Sequence, residues 1–271
     1  MTTVITHFFN EERMLQWWLP HHLQYFENGI LINHSSTDRS VDVCRDLAPN
    51  WKVVNSQLET FDAINNDFEV MQYEASVNGW KMALNVTEFL ICPGFEKKLG
   101  DFEGEDKWGF RTQGVIMVDE KPDVSPLVQE PLVNQKRYGF IEEKKRFRFS
   151  KHEGYGQLTL NGVRVKRPHR QRLVHRYLTG AYTPGRHSSH RNAEGPQHGA
   201  FVLWYGFCPW DKTARDRKLQ FAARIPKTDR SVGMGTQHLM SKHQFDNDYT
   251  ANLKLARDLS RIIIPPEDFV A

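Results

Sequence analysis

The sequence has 271 residues, of which 39% are hydrophobic and 25% charged, and 36 Lys and Arg stand against 33 Asp and Glu. These proportions are typical of a soluble globular chain, and the net charge of +3 is small for a general nucleic-acid binder. The three cysteines, Cys44, Cys92 and Cys208, are far apart and lack metal-ligand spacing. This argues against a disulfide framework or a zinc site and is typical of a reducing compartment.

Apolar runs are short throughout the sequence. The longest, such as residues 82–91 and 261–266, fall well below the roughly 20 residues that span a bilayer, so we expect no transmembrane segment. Residues 1–10 have no basic region of the kind that opens a signal peptide, and they have the pattern of a strand instead. We therefore expect a cytoplasmic protein.

Strands and helices alternate in the first half of the chain. Residues 2–9 are rich in β-branched and aromatic side chains and run into an N-cap residue and two acids, Asn10 to Glu12, which predict a helix. Pro20 is expected to kink that helix or to start another. Further strands are predicted at 29–33, 51–55 and 80–91, with helices after Asp38 and at 66–78. The alternation predicts an α/β fold with a mostly parallel central sheet flanked by helices.

The second half has a different texture. Strands are predicted at 109–119 and 157–166 without strong helices between them, and two helices are predicted near 213–223 and 244–261. This pattern predicts an α+β C-terminal half. Because no linker separates the two parts, we interpret residues 1–95 and 96–271 as halves of one domain.

Polar side chains at three strand ends indicate where a ligand binds. Thr6–Glu12, Asn33–Ser40 and Asn85–Phe89 carry polar residues where the periodicity would permit apolar ones. In an open parallel sheet, ligands bind outside the carboxyl ends of the strands, where loops and helix N-termini converge. The Ser-Thr-Asp cluster at 36–38 is also explained by helix capping alone.

The order and spacing of these segments resemble those of the glycosyltransferase family 2 superfamily, including its smaller viral and bacterial members. Thr6–Glu12 is similar to the family's opening strand and Asn-Glu pair, Leu31–Ser40 to its second-strand signature, and Leu84–Leu90 to the region of its Asp-x-Asp motif. The resemblance covers about the first 95 residues and implies the GT-A nucleotide-sugar-binding fold. Residues 182–187 and 233–238 lie where such enzymes build acceptor and phosphate loops.

The resemblance also implies roles for individual residues. Asn33 takes the position of the base-recognising carboxylate, and its amide could pair with a uracil edge. Asp38 orders the second loop, and helix capping remains an alternative for Asn66 and Asp67. The full set of residues expected to bind the donor is Thr6, Asn10, Glu11, Asn33, Ser36, Asp38, Asn66, Asp67 and Thr87.

One departure from the family concerns the metal. Relatives hold a divalent cation on Asp-x-Asp, but Asn85 and Thr87 replace both aspartates here, and Glu88 is the carboxylate that remains. Mn²⁺ or Mg²⁺ can still bind through Glu88, with His238 as a second ligand, because such ions complete their shells with water and phosphate oxygens. Without a metal, the diphosphate would need cationic residues, with Arg224 and Lys227 as the expected phosphate ligands beside Arg217 and Lys218.

Asp211 is our candidate for the catalytic base. It follows an apolar strand and stands beside Trp210, an aromatic residue suited to stacking on a sugar ring. The alternative is that Asp211 caps the helix predicted at 213–223.

These observations predict a glycosyltransferase that moves a sugar, a hexose or deoxyhexose, from a UDP-sugar to a hydroxyl of a glycan or glycoprotein. One alternative is a non-catalytic nucleotide-sugar-binding protein, suggested by the missing aspartates. Another is a nucleic-acid-binding module that uses the basic segments 144–151 and 164–176. The balanced overall charge argues against that last alternative, so we expect no nucleic-acid partner.

Overall fold

The structure is a computed structural model. It describes residues 1–141, 171–186, 188–227, 230 and 239–260, and the backbone of three short strands between residues 146 and 165. His238 and the basic segment 144–151, which the sequence singled out, lie outside the residues whose side chains are described.

Thirteen strands and seven α-helices follow one another along this part of the chain. The strands are β1 (Thr2–Phe8), β2 (Asn28–Asn33), β3 (Lys52–Asn55), β4 (Trp80–Ala83), β5 (Glu88–Ile91), β6 (Gly109–Val118), β7 (Tyr138–Ile141), β8 (Arg146–Phe147), β9 (Leu158–Leu160), β10 (Val163–Val165), β11 (Leu173–His175), β12 (Glu194–Phe207) and β13 (Arg257–Asp258). The helices are α1 (Glu12–His22), α2 (Ser40–Leu47), α3 (Ala63–Ala75), α4 (Phe95–Gly104), α5 (Leu132–Gln135), α6 (Lys212–Leu219) and α7 (Lys242–Leu253), with 3-10 turns at Pro184–Arg186 and Gln220–Arg224.

The strands form one large sheet and one small one. The large sheet runs in the order β13-β7-β6-β11-β4-β1-β2-β3, and β12 joins it by pairing with β6 and β5. β1 is parallel to β2 and β4, and β2 is parallel to β3, whereas β11, β7 and β13 pair in antiparallel fashion. The α/β class and its parallel, helix-connected first half are confirmed, and the second half is mixed as expected.

Some elements differ from the prediction. The strand expected at 80–91 is two strands, β4 and β5, because residues 84–87 leave the sheet. α1 continues through Pro20 to His22, so the proline neither ends the helix nor starts another. α4 was not predicted, although Phe95, Leu99 and Phe102 bury one face of it at helical spacing.

Side chains of α1 fix the position of β5. The Trp18 Nε1–H donates to the Glu88 carbonyl at 2.9 Å, and His21 Nε2 lies 2.6 Å from the Leu90 carbonyl. The Leu90 N–H donates to His22 Nε2 at 3.2 Å, which requires an unprotonated nitrogen there. Burial supports this arrangement, since it lowers the pKa of His21 to about 4 and that of His22 well below its ordinary value. β5 is thereby held against α1.

One hydrophobic core contains residues from both halves of the chain. Val4 and Leu31 from the first half belong to the same buried cluster as Val115, Leu203 and Leu259 from the second. The three cysteines are buried and free. Within the described residues, no helix has both the length and the apolar character needed to cross a bilayer.

Candidate functional site

A cavity of about 550 Å³ opens at the carboxyl ends of β1 and β4. The end of β1 and the residues after β1 and β4 form one wall, and the first turns of α3 form another. The end of β12 with α6 and α7 forms a third, and Gly185 and Arg186 also line the cavity. Five residues of the predicted site line this cavity, namely Glu11, Asn66, Asp67, Thr87 and Glu88. The position agrees with the general rule for ligand sites in open α/β sheets.

His7 lines this cavity, and one of its ring nitrogens has no partner among the described residues. Its Nε2 lies 2.7 Å from Glu69 Oε2, and Glu69 also accepts bonds from Ser56 Oγ and the Gln57 N–H, both at 2.7 Å. Burial lowers the pKa of His7, so the ring is neutral and donates through Nε2. Nδ1 is then an acceptor, and it has no partner among the described residues.

Further buried polar groups around the cavity lack partners in the described structure. Both amide atoms of Asn66, which is 4% exposed, are unpaired, as are Glu11 Oε2 and Arg186 Nε. Buried polar groups are almost always hydrogen-bonded in folded proteins, and each exception needs an explanation. Four residues that line the cavity therefore carry buried polar atoms without a partner among the described residues.

Hydrogen bonds join the loops after β1 and β2 beside the cavity. The Asn10 N–H donates to Ser36 Oγ at 3.0 Å, and the Thr37 N–H donates back to Asn10 Oδ1 at 2.8 Å. The Glu12 N–H donates to Asp38 Oδ2 at 3.1 Å. Asp38 also accepts from the N–H and hydroxyl of Ser40, so its carboxylate joins the two loops. Asn10, Ser36 and Asp38 do not line the cavity, so their expected contact with the donor does not fit this geometry.

The base-recognising role expected for Asn33 does not fit either. Its Nδ2 donates to Asn55 Oδ1 at 3.2 Å, and its Oδ1 accepts from the Ser36 N–H at 2.9 Å. Thr6 is fully buried, and its hydroxyl donates to the His7 carbonyl at 3.3 Å. Neither residue lines the cavity, because both side chains serve the fold.

Glu88 forms a buried ion pair with Arg172. The Arg172 Nε donates to Oε2 at 2.8 Å while Nη2 donates to Oε1, and the Asn85 N–H donates to Oε2 at 2.9 Å. Burial raises the pKa of Glu88, but Arg172 outweighs burial and the pKa is lowered, so the carboxylate is charged. Arg172 belongs to the basic segment 164–176, yet it is 1% exposed.

Arg186 lies across the same loop. Its Nη2 donates to Asn85 Oδ1 at 2.6 Å, and its Nη1 pairs with Asp67. Arg186 has a φ of 56° and Gly185 a φ of 78°, and the Gly185 N–H donates to Asp67 Oδ2 at 2.6 Å. The sequence pointed to the segment 182–187 but not to Arg186, and no local pattern identified Arg172.

The residues at the Asp-x-Asp position do not fit a divalent cation. Both Glu88 oxygens accept bonds from Arg172, and Asn85 Oδ1 accepts one from Arg186, so a cation would have to displace guanidinium groups. The two guanidinium groups would also repel the cation. Two like unit charges 4 Å apart interact unfavourably by about 4 kcal/mol at an effective dielectric of 20. Within the described residues, no cluster of three or more His, Cys, Asp or Glu is arranged to hold a metal.

The predicted cationic residues separate into two groups. Arg217 and Lys218 line the cavity, and Arg217 Nη1 donates to Glu11 Oε1 at 2.6 Å. Arg224 lies outside the lining, with Nη2 2.6 Å from His34 Nδ1 and its guanidinium 4.1 Å from the centre of the Phe9 ring. Lys227 is exposed and does not line the cavity.

Asp211 is the N-cap of α6. Its Oδ1 accepts from the Ala214 N–H at 2.9 Å, and its carboxylate pairs with Arg13 at 2.6 Å. Since Asp211 does not line the cavity, the capping alternative agrees with the structure better than the role of catalytic base.

No protein-family model and no curated protein matches the chain. Solved structures do. Staphylococcus aureus TarS 1–349 in complex with UDP matches at 11% identity and a TM-score of 0.33, over 44% of this chain and 35% of that one. TarS 1–349 without a named ligand matches at 11% identity and a TM-score of 0.38, over 82% and 64%.

A third match is Mycobacterium tuberculosis glucosyl-3-phosphoglycerate synthase in complex with Mn²⁺, UDP and glucosyl-3-phosphoglycerate, at 15% identity and a TM-score of 0.31, over 43% and 44%. The chain thus spans about a third of the length of the UDP-bound TarS chain.

Proposed function

We propose that this chain is a glycosyltransferase that binds a nucleoside diphosphate sugar, with UDP-sugars as the donor class, in the cavity at the ends of β1 and β4. The sugar passes to a hydroxyl of a glycan or glycoprotein. The observation that carries the proposal is that four residues lining that cavity each carry a buried polar atom without a partner among the described residues, namely His7, Glu11, Asn66 and Arg186.

The unpaired atoms of Asn66 and His7 complement a uracil edge. Uracil presents an N–H between two carbonyl oxygens, so it needs an acceptor beside donors. His7 Nδ1 is an acceptor, and the Asn66 amide offers one donor group and one acceptor. This moves base recognition from Asn33, whose amide is already bonded, to α3 and the end of β1.

Aromatic rings stand beside these polar groups. The ring centres of Phe9 and Phe221 are 5.8 Å apart, and those of Phe61 and Phe221 are 5.0 Å apart. All three residues line the cavity. Stacking of a base on an aromatic side chain contributes about 1–3 kcal/mol, which suits this cluster to hold the base plane.

Asp248 replaces Asp211 as our candidate base. Glu11, Asp67 and Glu88 also line the cavity, but each forms an ion pair with an arginine, whereas no ion pair of Asp248 is found among the described residues. In an inverting transfer, Asp248 would take the proton of the acceptor hydroxyl as that oxygen bonds to the anomeric carbon. The bond from that carbon to the diphosphate breaks, and the nucleoside diphosphate leaves with the electron pair.

The acceptor side of the cavity is formed by Trp204, Phe207 and Phe245. The Lys218 Nζ lies 5.1, 4.2 and 4.9 Å from the centres of these rings, respectively. A sugar stacks on such faces, and an ammonium beside them is suited to a phosphate oxygen of the donor.

The test is thermal unfolding with UDP, GDP, ADP and dTDP, each alone and with Mn²⁺. A ligand at 100 times its dissociation constant adds about 2.7 kcal/mol of stability, and UDP should give the largest shift. Asn66→Leu should lose most of this shift, whereas Asn65→Leu, an exposed neighbour on α3, should keep it. If no nucleoside diphosphate stabilises the protein, the proposal is wrong.

A second measurement separates an enzyme from a non-catalytic binder. Release of UDP from UDP-sugars is followed with mixed glycan acceptors present. Binding without release or transfer under these conditions would favour the non-catalytic alternative.

A further inference from the structure

We infer that Arg186 supplies the positive charge that holds the donor diphosphate, at the place where relatives of this fold carry a divalent cation, and that nucleotide binding is therefore independent of such a cation. The inference rests on the proposed function, because it concerns the diphosphate of the same donor. It follows from how Arg186 is held and from the charges around it.

The Arg186 guanidinium has N–H groups that are not used by the hydrogen bonds found in the described structure. Of its five N–H groups, one on Nη2 donates to Asn85 and one on Nη1 to Asp67. The Nε–H has no partner in the described structure, although Arg186 is 6% exposed and lines the cavity. A planar guanidinium with free donors matches the oxygens of a phosphate group.

The backbone at Arg186 is constrained in a conformation that arginine seldom adopts. The left-handed φ of 56° is disfavoured for a residue with a side chain. Asp67 binds the Gly185 N–H at 2.6 Å, and Arg172 Nη1 donates to the Gly185 carbonyl at 3.1 Å. Such backbone conformations persist where the surroundings impose them, and they cluster at ligand sites. Here the conformation directs the guanidinium to the Asn85 loop.

The net charge of the ionised side chains around this loop equals that of a divalent cation bound by two carboxylates. Asp67 and Glu88 carry two negative charges, and Arg172 and Arg186 carry two positive charges. A divalent cation on two carboxylates gives the same total. Arg172 is buried and makes four hydrogen bonds with its five N–H groups, so it acts as a positioning residue, while Arg186 keeps donors for the diphosphate.

The experiment is calorimetric titration of UDP into the parent protein with Mn²⁺, with Mg²⁺ and with chelator. The dissociation constant should stay within about twofold across the three conditions. Arg186→Gln should weaken UDP binding by about tenfold or more without rescue by Mn²⁺, and Arg186→Lys should lie between it and the parent. Arg176→Gln, which removes an arginine from a pair with exposed Asp106, serves as the control and should bind UDP as the parent does.

Each outcome decides a separate point. UDP binding that requires Mn²⁺ in the parent would overturn the inference and leave the proposed function standing. Parent-like UDP affinity in a folded Arg186→Gln protein would overturn the role of Arg186. Should Arg186→Gln fail to fold, Arg186→Lys and the chelator titration of the parent still decide. If the parent binds no nucleoside diphosphate, the proposed function fails and the inference fails with it.

Discussion

Arg172 and Glu88 meet in a two-point ion pair in which each side chain is 1% exposed. Arg172 also donates to the carbonyls of Gly185 and Arg186, so one guanidinium joins the loop before β5 to the loop that carries Arg186. The pair thus aligns two walls of the cavity. Removing either partner leaves a buried charge without compensation, and this gives the first prediction.

Glu88→Gln should lower the free energy of unfolding by about 3–5 kcal/mol, because the Arg172 charge then remains buried and unpaired. Urea unfolding measures the change. A matched control is Asp106→Asn, which breaks the exposed pair with Arg176 and should cost no more than about 1 kcal/mol. Similar costs for the two variants would contradict a structural role for the Arg172–Glu88 pair.

Asn33→Leu should reduce stability rather than nucleotide affinity. The substitution leaves the Ser36 N–H and the Asn55 amide without their partner, at a cost of about 1–3 kcal/mol. Asn66→Leu should show the reverse, since it removes a buried amide that has no partner in the described structure and deletes a proposed contact with the base. Chemical unfolding and UDP titration of both variants test these two expectations. Weaker UDP binding in a stable Asn33→Leu protein would restore the original assignment.

The described part of the site shows what local sequence patterns can and cannot locate. The end of β1 was identified because the strand pattern places it at the carboxyl edge of the sheet. Asn85 to Glu88 were singled out although they lay inside a strand predicted at 80–91, and Asn66 and Asp67 followed from the family resemblance. Arg172 and Arg186 were not identified, since they pair with Glu88 and Asp67 across 84 and 119 residues, and no local spacing encodes such a contact. The prediction that Asn33 binds the base failed for a related reason. A polar residue at a strand end can hydrogen-bond to a neighbouring loop as readily as to a ligand, and the sequence does not distinguish the two.

Acid should weaken the protein through Glu69. Burial raises the pKa of this carboxyl, but hydrogen bonds from His7, Gln57 and Ser56 prevail and lower it from 4.5 to about 2. A carboxyl with a lowered folded-state pKa contributes stability above its unfolded pKa and loses it as the pH falls. The contribution should therefore be complete above about pH 4.5 and disappear toward pH 2.

Glu69→Gln isolates this effect. The difference in unfolding free energy between parent and variant should be largest near neutral pH and should shrink as the pH falls from 4.5 toward 2. Urea unfolding at several pH values provides the measurement. A difference that stays constant over this range would show that Glu69 does not titrate as the geometry requires.

The last prediction separates the two aspartates considered for the base. Asp211→Asn removes the charge that pairs with Arg13 but keeps an amide oxygen able to cap α6, so stability should change little and sugar transfer should persist. Asp248→Asn should lower kcat by about 10²-fold or more, because a general base contributes roughly that factor, while the dissociation constant for UDP stays near that of the parent. The measurement is initial rates of UDP release with saturating donor and acceptor, paired with UDP titration. Transfer lost in Asp211→Asn and retained in Asp248→Asn would return the base to α6 and require the acceptor to bind outside the cavity at β1 and β4.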